Sequence, residues 1–188
     1  DYRKKFPVGS DFLIGVNIGP NKDSKDRFND YKVLSENLSE FADYISINVS
    51  SPNTPNLREF QKKENLEKVI KFVMDGIAVS KTLNKKLPIF LKIAPDINKQ
   101  TLNSIIETAH FQKIFGLIIS NTTLDRDNNL KSKKLNELGG LSGKPLFQKS
   151  TAILSEANKI IKNKNYKLFL IAAGGVTDAN TAYVKILC

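Results

Sequence analysis

Five short apolar runs recur along this chain, and each is followed by a polar loop and then an amphipathic stretch. The runs are Phe12 to Ile18, Tyr44 to Val49, Ile89 to Ile93, Gly116 to Ile119 and Leu168 to Ala172. They are rich in Ile, Leu and Val and lack strict alternation, as strands buried on both faces do. The stretches between them carry apolar residues at helical spacing. Phe28, Tyr31, Leu34, Leu38 and Phe41 form one stripe, with Ser24 upstream as its expected N-cap. Leu66, Val69, Ile70, Val73 and Ile77 form the next, then Leu102, Ile105, Ile106 and Ala109, then Ile153, Leu154, Ala157, Ile160 and Ile161, and a last one begins at Asp178. Strands alternating with helices predict a parallel α/β sheet. No internal repeat or linker interrupts it, so a single domain is expected over 1–188.

The polar loops narrow the architecture further. Each strand is followed at its C-terminal end by a polar cluster: Asn17, then Ser50 to Arg58, Lys92 to Asp96, Ser120 to Thr123, and Gly174-Gly175. An open doubly wound sheet loads only the loops at its switch point. A (β/α)8 TIM barrel gathers every such loop at one mouth. The predicted fold is therefore a (β/α)8 barrel. Such a barrel takes about 250 residues and eight strands, and these 188 residues hold about five strand–helix units.

Composition excludes several classes. The chain is 40% hydrophobic and 26% charged, as ordinary globular domains are. Its one cysteine, Cys188, rules out an internal disulfide. No run approaches the ~18 apolar residues of a membrane helix, and residues 1–15 lack the layout of a signal peptide. The net charge of +10 is spread over separate groups (Lys62-Lys63, Lys85-Lys86, Lys131 to Lys134, Lys162 to Lys167), interleaved with Asn. That spread reads as a solvated surface, and no nucleic-acid partner is expected. A basic nucleic-acid-binding module would show itself by steeply salt-dependent binding.

The motifs admit a plain and a functional reading. Ser50-Ser51-Pro52-Asn53-Thr54-Pro55 is either a proline-stiffened turn or a rigid loop offering a hydroxyl and carboxamides to a polar substrate. Lys92, inside the apolar run Phe90 to Ile93, either snorkels or stands as a fixed cation facing an anionic ligand or cofactor. Gly139 to Pro145 and Ala172 to Val176 are ordinary turns taken singly; together they fit a phosphate site near late barrel strands. The P-loop spacing is absent, because Pro145 follows Lys144. Asp96 is either a catalytic carboxylate or a helix N-cap, and its place after Pro95 favours the cap. His110 reads as structural or surface, and no side-chain set has metal-ligand spacing, so no metal is predicted.

The segments GVNIGPNKDS (15–24), INVSSPNTPNLR (47–58), LKIAPDI (91–97), IISNTT (118–123), GGLSGKPL (139–146) and AAGGV (172–176) together resemble class 2 dihydroorotate dehydrogenase, the membrane-associated, quinone-reducing type. Class 1 enzymes carry Cys at the position of Ser51. The resemblance implies an FMN-dependent (β/α)8 barrel that oxidises dihydroorotate to orotate in de novo pyrimidine (UMP) synthesis and passes the electrons to ubiquinone. It implies Ser51 as the general base for the C5 proton, and Thr54 as a hydroxyl relaying that proton outward. Asn48, Asn53, Asn121 and Thr122 are implied substrate contacts; Asn17, Asn48, Lys92, Ser120, Gly143 and Gly175 are implied FMN contacts. Asn56 stands where the family often has Gly.

The resemblance also implies a partial chain. The family has a membrane-docking N-terminal helical pair, two barrel strands before Asn17 and one after Val176, and it implies the mitochondrial inner membrane as location. Two other expectations stand beside it: an inactive truncated fragment or isoform acting only by interaction, and another FMN-dependent pyrimidine oxidoreductase on the same barrel.

Overall fold

The computed structural model describes residues 2–7, 10–80, 86–127 and 130–188. Of the basic groups above, Lys85 lies outside these residues; Lys62, Lys63, Lys86, Lys131 and Lys134 are exposed at separate places.

Five strands form one sheet: β1 (Gly15–Ile18), β2 (Tyr44–Asn48), β3 (Ile89–Ile93), β4 (Gly116–Ile119) and β5 (Phe169–Ala172). All neighbours are parallel and the order follows the chain, β1-β2-β3-β4-β5. A doubly wound sheet reverses its strand order at a switch point; here no reversal occurs. The sheet is an arc of a (β/α)8 barrel. Among the described residues six helices accompany it: α1 (Tyr2–Lys5), α2 (Arg27–Leu38), α3 (Lys63–Val79), α4 (Lys99–Phe111), α5 (Phe147–Asn163) and α6 (Ala179–Leu187). From α2 onward each packs against the next, as the outer ring of a barrel requires.

Side chains alternate across each strand, so two faces are decided by two residue sets. Ile45 and Ile47 of β2, Leu91 and Ile93 of β3, and Leu117 and Ile119 of β4 are fully buried in one cluster with Leu66, Val69, Ile70 and Val73 of α3 and Leu102, Ile105 and Ile106 of α4. The intervening positions Asn17, Ser46, Asn48 and Lys92 face the other way, into the barrel. The register sets Asn17 beside Ser46 and Asn48 beside Lys92.

The elements match the predicted ones with local exceptions. β1 is shorter than the apolar run that predicted it. Phe12 and Leu13 are exposed, and the Ile14 N–H donates to the Asp43 carboxylate at 2.8 Å, an acceptor that is not a neighbouring strand. α2 is capped by Asp26, whose Oδ1 accepts from the Asn29 N–H at 3.0 Å, so the expected cap Ser24 lies too early. Phe41, expected to end the helix, falls in a separate 3₁₀ turn, Ser39–Phe41. α6 opens on a capping box between Asp178 and Thr181.

Candidate active site

The site begins where β2 stops. Asn48 is its last residue, and the next polar residue, Ser50, is wholly buried. The Ser50 Oγ–H donates to the Lys92 carbonyl on β3 at 2.6 Å. The same oxygen accepts from Asn121 Nδ2 beyond β4 at 3.0 Å, and that amide also donates to Asn48 Oδ1 at 3.1 Å. Asn121 Oδ1 in turn accepts the Thr122 N–H at 2.8 Å, which fixes the amide's orientation. Asn48, Ser50 and Asn121 thus tie three strand ends into one polar knot.

Ser51 sits differently. It is half-buried, and its Oγ accepts the Asn53 N–H at 3.2 Å. Among the described residues its own hydroxyl proton has no acceptor. Pro52 follows, Asn53 is exposed, and Asn56 takes the left-handed conformation at φ 58° before the 3₁₀ turn Leu57–Gln61. Asn substitutes there for Gly without a severe penalty, because it visits that region routinely. Thr54 is close in sequence, but among the described residues its hydroxyl makes no bond to Ser51.

Inside the arc lies a recess of about 200 Å³ whose lining includes Asn17, Tyr44, Ser46, Lys92, Ile118 of β4 and Ala173 just past β5. Asn17 Oδ1 accepts from Ser46 Oγ at 3.0 Å. Lys92 is half-buried at this wall, and among the described residues its ammonium has neither a hydrogen bond nor an ion pair. A cation so placed needs an acceptor. Ser120 is buried and donates to the Asn121 carbonyl at 2.9 Å.

Gly143 and Gly175 flank the start of α5. Both have positive φ, 73° and 75°. Nothing lies within 4 Å of where a Gly143 Cβ would stand, whereas one at Gly175 would lie 2.5 Å from the Phe147 backbone. The first turn of α5 has no side-chain cap; it continues the 3₁₀ turn Lys144–Leu146, in which the Leu146 N–H bonds the Gly143 carbonyl at 3.0 Å and the Phe147 N–H bonds the Lys144 carbonyl. Glycines that admit close approach and an ammonium without a protein partner among the described residues are features an anionic ligand can use.

The segment after β4 folds back over the site. Thr123 and Leu141 form an isolated antiparallel bridge with bonds of 3.1 and 2.7 Å. Arg126 gathers the segment by donating to the carbonyls of Leu135 and Gly139, at 3.2 and 2.8 Å. A Cβ at Gly140 would stand 1.8 Å from Thr122 Oγ1 and 2.8 Å from Pro52 Cγ, so only glycine lets this segment cross there.

Asp96 is not the helix cap its position suggested. Asn98 caps α4, accepting from the Thr101 N–H at 2.8 Å. Asp96 meets Arg58 at 2.7 Å, Lys149 at 2.8 Å, the Leu124 N–H at 2.9 Å and the Thr123 hydroxyl. Neither Arg58 nor Asp96 was assigned a site role from the sequence. The available signal was a carboxylate just past a buried strand whose capping duty a second residue, Asn98, could fill. His110 lies apart from the site, stacked on Tyr166 with ring centroids 3.9 Å apart.

A parallel arc with polar side chains knotted at its strand ends defines the catalytic face of a (β/α)8-barrel enzyme. The dihydroorotate dehydrogenase family model matches residues 3–188. Dihydroorotate dehydrogenase (quinone) of Agrobacterium fabrum is 43% identical over 175 residues, covering 93% of this chain and 47% of that protein. The same enzyme of Rhizobium rhizogenes is 41% identical over 187 residues, covering 98% and 50%. The crystal structure of the Eimeria tenella dihydroorotate dehydrogenase with ferulenol superposes with a TM-score of 0.83 at 33% identity, over 93% of this chain and 50% of that one. The chain belongs to the dihydroorotate dehydrogenase family. It spans about half the length of the curated relatives it matches.

These relatives correct one expectation. They are bacterial, and bacteria have no mitochondrion, so the mitochondrial inner membrane is withdrawn as the location. Among the described residues no helix is long and apolar enough to cross a membrane.

Proposed function

We propose that this chain is the partial FMN-binding (β/α)8 domain of a quinone-dependent dihydroorotate dehydrogenase, which oxidises dihydroorotate to orotate in pyrimidine biosynthesis with ubiquinone as electron acceptor. The reading rests on the division of labour between two adjacent serines. Ser50 is buried and its hydroxyl is committed to Lys92 and Asn121; Ser51 is half-buried, and among the described residues its hydroxyl proton is uncommitted.

In the reaction a C5 proton and a C6 hydride leave dihydroorotate, and the C5–C6 double bond forms. FMN, when bound, would supply a hydride acceptor whose electrons a quinone could take up. Ser51 Oγ takes the C5 proton, and Thr54 passes it outward. A serine hydroxyl is a weak base at its free pKa, so it depends on position and on exclusion of water. The folded-back segment at Gly140 serves that exclusion. Asn53, Asn121 and Thr122 hold the amide and carboxylate edges of the substrate. Asn17, Asn48, Ser120 and Lys92 would hold the flavin ring, and the Lys92 charge would favour its reduced form. Gly143 and Gly175 admit the phosphate to the start of α5.

The test is flavin retention followed by turnover. The purified protein is expected to carry FMN at about one per chain, read from its absorbance spectrum. Ser51→Ala should keep the flavin and slow its reduction by dihydroorotate about 10²–10⁴-fold, the range of general-base contributions. Undiminished reduction in Ser51→Ala would remove the assignment.

A further inference from the structure

Arg58 follows the Ser51 loop, in the 3₁₀ turn Leu57–Gln61. Its guanidinium reaches three strand-end loops at once. Nε donates to the Ser50 carbonyl at 3.2 Å, Nη2 to the Thr122 carbonyl at 2.9 Å, and Nη1 to Asp96 Oδ2 at 2.7 Å. The two side chains are only 22% and 13% exposed, so solvent screens the pair weakly. Each guanidinium nitrogen donates to protein, so three of its five N–H donors are held by the fold.

The two carbonyls are placed to matter. The Ser50 carbonyl belongs to the peptide unit from which Ser51 hangs. The Thr122 carbonyl closes the pair Asn121-Thr122. A planar cation bonded to both sets the spacing between the loop of the base and the loop of the substrate amides. Asp96 holds that cation in plane, and is itself held by Thr123, Leu124 and Lys149. Lysine cannot replace this group: its ammonium is one point on a flexible stem, not a fork with three fixed directions.

We propose that Arg58, held by Asp96, is a positioning residue for Ser51, locking the β2 loop against the β3 and β4 loops so that the hydroxyl meets the substrate's C5–H. The proposal rests on the reading of Ser51 as the base. Misplacement of a reacting group by about 1 Å suffices for a hundredfold loss of rate.

The test compares Arg58→Lys and Asp96→Asn with the unaltered flavin-loaded protein by two measurements. The first is turnover with dihydroorotate deuterated at C5. Arg58→Lys should lower kcat about tenfold or more, with a smaller change in KM, and raise the C5 isotope effect as proton removal becomes limiting. A merely structural role would lower the melting temperature and leave the isotope effect where it was, and that result overturns the proposal. The second is backbone amide hydrogen exchange without substrate. Segments 50–55 and 120–124 should exchange faster together in Arg58→Lys, while α4 stays protected; unchanged exchange in both segments overturns the proposal. If Arg58→Lys fails to fold, Asp96→Asn is read by the same criteria. If the unaltered protein does not oxidise dihydroorotate, the reading of Ser51 fails, and the exchange data alone decide whether Arg58 locks the loops.

Discussion

The phenol of Tyr31, a wholly buried residue of α2, donates to the backbone carbonyl of Asn48 at 2.9 Å. Asn48 ends β2, where the ladder to the next strand runs out, so its carbonyl needs a partner from elsewhere. The helix packed outside the sheet thereby holds the backbone of a residue whose side chain belongs to the knot with Ser50 and Asn121.

Tyr31→Phe keeps the ring and removes the donor. It leaves a buried carbonyl unsatisfied, a loss of about 1–3 kcal/mol, measurable by urea unfolding. Burial pushes the phenol well above its ordinary 10.0, a shift the nearby Arg27 opposes and Asp30 reinforces. A raised folded pKa stabilises fully below the unfolded value and is lost as pH climbs. The unaltered protein should therefore lose more stability than Tyr31→Phe as pH rises beyond about 10.

Asp96 acts in the opposite pH direction. Burial by itself would raise its carboxyl, but bonds from Lys149, Thr123, the Leu124 N–H and Arg58 outweigh it and bring the pKa from 3.8 to about 2. A depressed folded pKa gives stability that is present above 3.8 and lost as pH falls toward about 2. Asp96→Asn should flatten the acid limb of a stability–pH curve in that window, and lower stability at neutral pH by leaving Arg58 and Lys149 short of an acceptor.

Gly175 and Gly143 separate two kinds of strain. Both sit at positive φ: Gly143, at φ 73° and ψ −157°, lies in a region essentially reserved for glycine, where alanine costs about 1–3 kcal/mol, and alanine at Gly175 carries a positive-φ penalty of about 1–2 kcal/mol. At Gly143 nothing stands near the added methyl, and that penalty is the whole effect. At Gly175 the methyl meets the Phe147 backbone, and overpacking raises the loss to about 2–5 kcal/mol. Thermal unfolding of the two alanine variants should show this order.

Lys92→Met tests whether the unpaired cation serves a ligand. With no protein partner to lose among the described residues, and a half-buried charge removed, the substitution should leave stability unchanged or raise it. A charge-assisted bond to the flavin is worth about 1.5–3 kcal/mol, so FMN affinity should fall about tenfold or more. Equal flavin retention, measured by fluorescence of released FMN, would return Lys92 to a snorkelling role.

Much of the fold was legible because burial leaves a one-dimensional trace. Strands covered on both faces must be apolar almost throughout, and Ile89–Ile93 and Gly116–Ile119 were bounded correctly on that ground alone. The helices announced themselves by stripes such as Leu66, Val69, Ile70 and Val73, all of which are buried. Polar residues massed after each strand pointed to the mouth of a barrel, since a loop needs no asparagines and serines in such number merely to turn. Phe12 and Leu13 misled for the converse reason: apolar residues outside a strand look the same as those inside one until a partner strand is seen.

What only the tertiary structure decided were choices between chemically equivalent neighbours. Ser50 and Ser51 are the same residue type side by side; the Lys92 carbonyl and the Asn121 amide, brought from two other strands, tie down the first, while among the described residues the second keeps its hydroxyl proton uncommitted. Asp96 and Asn98 are both good caps, and the arrival of Arg58, Thr123 and Lys149 made one an ionic centre and left the cap to the other. Periodicity and local propensity record what a residue does with its own segment. They carry no record of partners that lie tens of residues away and become neighbours only when parallel strands align in register.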